Sequence, residues 1–217
     1  MRTGDWSTHD LPPDTERWVA RAEDLCAAWR ECPRAEWLVE LCLGASLGRA
    51  VVVRAAAGVV AEALGQYGAD GGIVDLRVHR GLVTVLAWVG GRASANEAWA
   101  AAFGALEVAD ALSRGEIGAM KQQDVARAEA AARAVAHLAF ACDEEADEVF
   151  YAHRGYLAKA MERAAVVIGS DEAAADRMRA EVPLAHFLQA VEASAERRTT
   201  VLEAVAAETP ATDSFYC

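Results

Sequence analysis

Alanine and other small residues, spaced between larger apolar residues at helical intervals, constrain this chain more than anything else in it. Side chains this small let helix axes approach closely, so a core can be built from backbone proximity with scattered Trp and Leu as anchors. From Glu116 to Ala141 the chain is alanine-rich, with Arg127, Glu129 and Arg133 as polar markers, and this predicts a long helix. Strand-like alternation occurs only over Val74, Leu76 and Val78, and Leu82, Val85, Leu86 and Val89 then follow helical spacing, so 75–89 is expected as one helix. The expected fold is all-α, an irregular array of antiparallel helical hairpins with no sheet.

The segment Ala28 to Leu38 holds a tryptophan pair around a helix boundary. Trp18, Ala22, Leu25 and Trp29 recur at steps of four, three and four, which predicts a helix from an Asp14 cap to about Arg30. Pro33 suits the first turn of the next helix, expected to run to about Leu43, and it disfavours helical backbone at Cys32. Trp29, Pro33 and Trp37 are thus expected to form a structural corner, with the two rings packed across the bend. An aromatic ligand cage is the weaker reading of this pair.

Further along, Arg49 to Leu64 is expected as a buried helix, and Gly65, Gly68, Gly71 and Gly72 as a loop. Ser94 followed by Glu97 is a capping box, with Trp99, Phe103 and Leu106 as the apolar stripe behind it. A helix rich in aromatic residues should reach Ile168, Gly169 should end it and Ser170 should cap the next. After Pro183 a last helix is expected over Leu184 to Ala207. The resulting division is an arm over 1–13, one helical domain over 14–207 and a tail over 208–217.

Composition narrows the function classes. The formal net charge is −12, which opposes binding to phosphate backbones and favours a basic partner. No apolar run approaches the roughly 18 residues of a membrane span, and Met1 to Pro13 lacks the apolar region of a secretory signal, so the expected location is cytoplasmic, with neither membrane nor nucleic acid as partner. The five cysteines, Cys26, Cys32, Cys42, Cys142 and Cys217, have no Cys-x-x-Cys spacing and are expected to be reduced, with no metal centre and no cofactor. Glu-x-x-His, nucleophile-elbow, phosphate-loop and dinucleotide motifs do not occur.

The residues singled out for recognition are Asp143, Glu144, Glu145, Asp147 and Glu148, with Tyr151 and His153 just beyond. A solvated first helical turn explains the acidic run by the helix dipole alone; a face that captures a cationic protein is the functional alternative. Asp75 and His79 form an i, i+4 pair capable of acid/base work, and His137 is expected as a core histidine.

Cys32-Pro33-Arg34 followed by Trp37-Leu38, the apolar helix around Arg49 to Leu64, Ala87-Trp88 before Gly90-Gly91, the alanine tract, and Ala175-Asp176-Arg177-Met178-Arg179 with Pro183 resemble a set of alanine-rich helical bacterial proteins, described as immunity proteins or left uncharacterised. An Asp-Arg-Pro turn typical of that set is matched here by Asp75-Leu76-Arg77-Val78, without the proline. The resemblance implies a role beside toxins; together with the acidic run and the net charge, the expected function is a non-enzymatic, immunity-type module that occludes a toxin or other basic partner through an acidic helical face. The alternatives are a structural subunit of a larger assembly, or a self-associating one, and a ligand-binding or catalytic bundle with its site near His153 or Asp75 and His79.

Overall fold

The computed structural model describes residues 11–117, 121–143 and 152–208, apart from the side chains of 152, 153, 198 and 201–208. Among the described residues there are ten helices and no strand, as the apolar spacing predicted. They are α1 (Pro13–Arg21), α2 (Leu25–Glu31), α3 (Ala35–Gly44), α4 (Arg49–Ala69), α5 (Leu76–Val89), α6 (Ala95–Ser113), α7 (Gln122–Phe140), α8 (Ala152–Ile168), α9 (Asp171–Glu181) and α10 (Leu184–Glu208).

α7 lies at the centre, packed on α4, α5, α6 and α8, and α8 also meets α3, α4 and α9. Small residues make this crowding possible. Ala130, Ala131, Ala132, Ala134 and Ala136 of α7 are all buried, on more than one face of the helix. At Gly81 of α5 an added Cβ would lie 2.6 Å from Cγ1 of Val135, so α5 and α7 meet with no room for a methyl group.

The corner forms with different partners from those expected. One helix from 14 to 30 is in fact two, because Asp24 adopts extended backbone and its carboxylate accepts the Ala27 N–H at 2.7 Å, starting α2 afresh. Asp14 sits in the first turn of α1, which has no side-chain cap, and pairs instead with Arg17. Trp29 stacks on Phe187 of α10, with ring centroids 4.4 Å apart, whereas Trp37 packs beside Trp18 at 5.9 Å. Pro33 lies in the turn between α2 and α3. The last carbonyls of α2 are met from far along the chain: Arg179 of α9 donates to the Cys32 carbonyl at 2.6 Å, filling the place of a missing intrahelical donor.

Two further expectations change. Gly65 and Gly68 do not break the chain; α4 runs through both to Ala69 and stops at a Schellman turn, with Gly71 at φ +86° and the Gly72 N–H donating to the Tyr67 carbonyl at 2.9 Å. The helix is long and apolar enough to cross a membrane, in contrast to the sequence reading, and over half of that stretch is buried against its neighbours, as in a core helix. The Ser94–Glu97 capping box is present, but Ala98, Ala102 and Ala105 form the buried side of α6 while Trp99 and Phe103 are exposed. α5 and α6 meet across Gly81 and Gly104, whose Cβ positions would lie 3.7 Å from the Ala101 carbonyl and 3.9 Å from the Arg77 Cβ.

Of the described cysteines, Cys32, Cys42 and Cys142 are buried and all are unpaired; burial pushes Cys32 up to about 11 and Cys142 up to about 12. Burial likewise raises Glu36 and Glu40 of α3, near Arg34 and Arg154 respectively. Residues 1–10 of the expected arm lie outside the described residues; Leu11 is buried and α1 starts at Pro13.

Gly81→Ala should destabilise the fold, because overpacking of about 1–3 kcal/mol exceeds the roughly 1 kcal/mol gained in helix propensity. Val135→Ala in the same chain should recover part of the loss, a non-additivity readable from a urea-denaturation double-mutant cycle.

Candidate functional site

The end of α4, the turn after it, and the starts of α5 and α7 enclose two adjoining cavities that share Tyr67 and Ile73. The Schellman turn creates them by reversing the chain at Gly71 and bringing Gly72 against the Tyr67 ring, where a Cβ would lie 2.4 Å from ring carbons. Only a residue without a side chain fits there. Ile73 then emerges at the rim with 85% of its surface exposed.

The first cavity has a volume of about 330 Å³ and is walled mainly by aliphatic side chains, including Val78, Val108, Leu112 and Ala131. Its polar side chains are Tyr67 and Asp75. Asp75 is already committed. It caps α5 by accepting the Arg77 N–H at 2.8 Å, and it takes two further bonds from the Arg77 guanidinium at 3.0 and 3.1 Å, which hold its carboxyl below the usual range. Tyr67 differs: only 2% of it is exposed, and its hydroxyl is buried with no hydrogen-bond partner among the described residues. Burial, and then the Asp124 carboxylate, push its phenol up, so it stays protonated.

The second cavity, about 290 Å³, adds Asp70, Lys121, Asp124 and Arg127. Arg127 organises it. Its guanidinium lies 5.5 Å from the Tyr67 ring centroid, donates to Asp70 at 2.8 Å, and donates to the Val167 carbonyl in the last turn of α8 at 3.0 and 3.2 Å. One side chain of α7 thereby ties together the ends of α4 and α8.

A second feature lies on the surface between α6, α7 and α8. Trp99, Phe103 and Phe140 meet edge to face, with centroids 5.3–5.5 Å apart, and Phe140 continues to Tyr156 and on to His137. His137 is only half-buried and its Nδ1 has no partner among the described residues, so it is not the satisfied core histidine expected. Burial, helped by the positive charges of Lys159, Arg163 and Arg133, lowers it to about 4.

The other residues singled out in the sequence fare unevenly. Glu144, Glu145, Asp147, Glu148 and Tyr151 lie outside the described residues, as does the side chain of His153. Asp143 is described; its carbonyl accepts a hydrogen bond from Arg49. Asp75 reaches a cavity but His79 is exposed and does not line it, so the two do not converge there. Among the described residues no three His, Cys, Asp or Glu side chains gather as a metal site would need. Sequence reasoning missed Tyr67 and undervalued Arg127. The available signal was the Gly71-Gly72 pair one turn beyond an aromatic residue, a helix stop followed by a close approach.

No protein-family model, curated protein or solved structure matches this chain.

Unfolded histidine titrates near 6.5, so between that value and about 4 the unfolded chain binds a proton that folded His137 refuses. Its contribution to stability is therefore complete above pH 6.5 and is lost as pH falls toward 4. His137→Gln should lose less stability than the unaltered protein between pH 7 and pH 4.5, measured by denaturant melts at each pH; the subtraction cancels the opposite slope from Glu36 and Glu40.

Proposed function

We propose that this protein is a non-enzymatic binding module that holds a small apolar molecule in the cavity beside Tyr67. The observation that carries this reading is an aliphatic-walled cavity of about 330 Å³ with Tyr67 and the committed carboxylate of Asp75 as its polar lining residues. That combination of apolar lining and few polar groups is what small-molecule sites share. By the scale of a roughly 150 Å³ cavity that holds benzene, this one has space for about a dozen non-hydrogen atoms. Naphthalene should bind with a Kd of about 10 μM to 1 mM and raise the melting temperature. Ala128→Leu, which places a larger side chain on the cavity wall, should abolish both effects; a melting temperature indifferent to naphthalene would overturn the reading.

A second reading, protein–protein recognition of the immunity type, is favoured by the exposed Trp99 and Phe103, 38% and 50% accessible, on a chain of net charge −12. Exposed aromatic clusters suit interface centres, and the overall charge suits a basic partner. On this reading a basic product of a neighbouring gene should co-purify in a fixed ratio, and replacing Trp99 and Phe103 together by Ser should release it without lowering the melting temperature by more than a few degrees.

A further inference from the structure

A surface helix ordinarily turns one apolar stripe inward and polar residues outward. α5 has two apolar stripes. Val78, Gly81, Leu82 and Val85 are buried, and on the opposite side Leu76, Val83 and Leu86 are exposed, the first two at 63% and 66%. Leu76, His79, Val83 and Leu86 stand at i, i+3, i+7 and i+10, so they line one face over about 15 Å of helix. A single exposed apolar residue is ordinary, whereas an aligned series marks an interaction surface.

The charge of this face runs against that of the molecule. From Leu76 to Val89 the Lys, Arg, Asp and Glu side chains are Arg77 and Arg80 alone, in a chain of net charge −12. Arg77 is held by Asp75 at 3.0 Å and Glu107 at 3.6 Å. Arg80 lies beside the exposed stripe and makes no ion pair among the described residues. An apolar face flanked by such a cation is complementary to an acidic amphipathic helix, whose apolar residues cover the stripe while a carboxylate meets Arg80. A second copy of this chain fits less well. The stripe is centred near residue 81, so a two-fold pairing of α5 with itself would bring two Arg80 side chains together. An anionic lipid surface would be repelled by the net charge of −12.

We propose that the outer face of α5 is a docking site for an acidic amphipathic helix of a partner protein, with apolar residues laid on Leu76, Val83 and Leu86 and an Asp or Glu set against Arg80. This surface is separate from both the cavity beside Tyr67 and the Trp99–Phe103 cluster.

The test uses three helix-stapled peptides of about 15 residues. Each carries leucines at i, i+3, i+7 and i+10, with Glu, Gln or Lys at the flanking positions, and is titrated into the full chain by fluorescence anisotropy at pH 7. The Glu peptide should bind about 2- to 5-fold more tightly than the Gln peptide, the span of one exposed ion pair, and the Lys peptide should bind most weakly. Arg80→Ser should remove the advantage of Glu over Gln and leave the Gln peptide unchanged. Leu76→Ser with Val83→Ser should weaken all three by at least about 10-fold. These side chains are exposed, so both variants should melt within a few degrees of the unaltered protein. A preference for the Lys peptide, affinities that survive the double serine variant, or no binding of any peptide up to about 1 mM overturns the proposal. So does a dimer in light scattering, or binding to phosphatidylglycerol vesicles, that the double serine variant abolishes, since either assigns the face to a different occupant.

Discussion

The structure depends on how near other helices can come to α7. A helix bearing large side chains holds its neighbours at 8–10 Å and usually offers one apolar stripe. With alanine at Ala130, Ala131, Ala132, Ala134 and Ala136, α7 offers burial on several faces, and four helices use them. Each such contact buries little area per residue, so the arrangement relies on many close approaches and has little tolerance for added volume. At Gly81 even one added methyl group would collide with Val135.

Close approach also explains where the cavities lie. Ala128 and Ala131 are small enough to leave space as well as to permit contact, and where α4 ends and α5 begins side chains must bridge the gap. Tyr67 and Arg127 do this at the ends of α4 and α8, and the space they leave is the candidate site. On α6, likewise, Ala98, Ala102 and Ala105 take the buried side and Trp99 and Phe103 are exposed.

Much of the helical layout was legible because it is written locally. The Ser94–Glu97 box, the Ser170 cap, Gly169 and Pro183 mark boundaries through bonds to near neighbours, and the structure keeps each of them. What escaped depended on distant partners. Nothing near Trp29 indicates Phe187, and the period that assigned Trp99 and Phe103 to the core cannot say that the buried side would be lined by alanine. Gly65 and Gly68 read as breakers because helix propensity is local; burial of Tyr67 between them outweighs it. The site was illegible for the same reason, since Tyr67, Asp75, Leu112 and Ala131 come together only through the tertiary fold.

The bond from Arg179 to the Cys32 carbonyl spans 147 positions, and the Trp29 ring waits for Phe187. During synthesis at about 5–20 residues per second, α2 therefore leaves the ribosome many seconds before either partner exists. Trp18 can already donate to the Ala28 carbonyl, but the Trp29 ring and the Cys32 carbonyl stay without their native partners until α9 and the start of α10 have emerged. Assembly of the corner at Trp29 is thus governed by a part of the chain made long after it, and a polypeptide cut short before Arg179 would present an incompletely closed corner to chaperones and proteases.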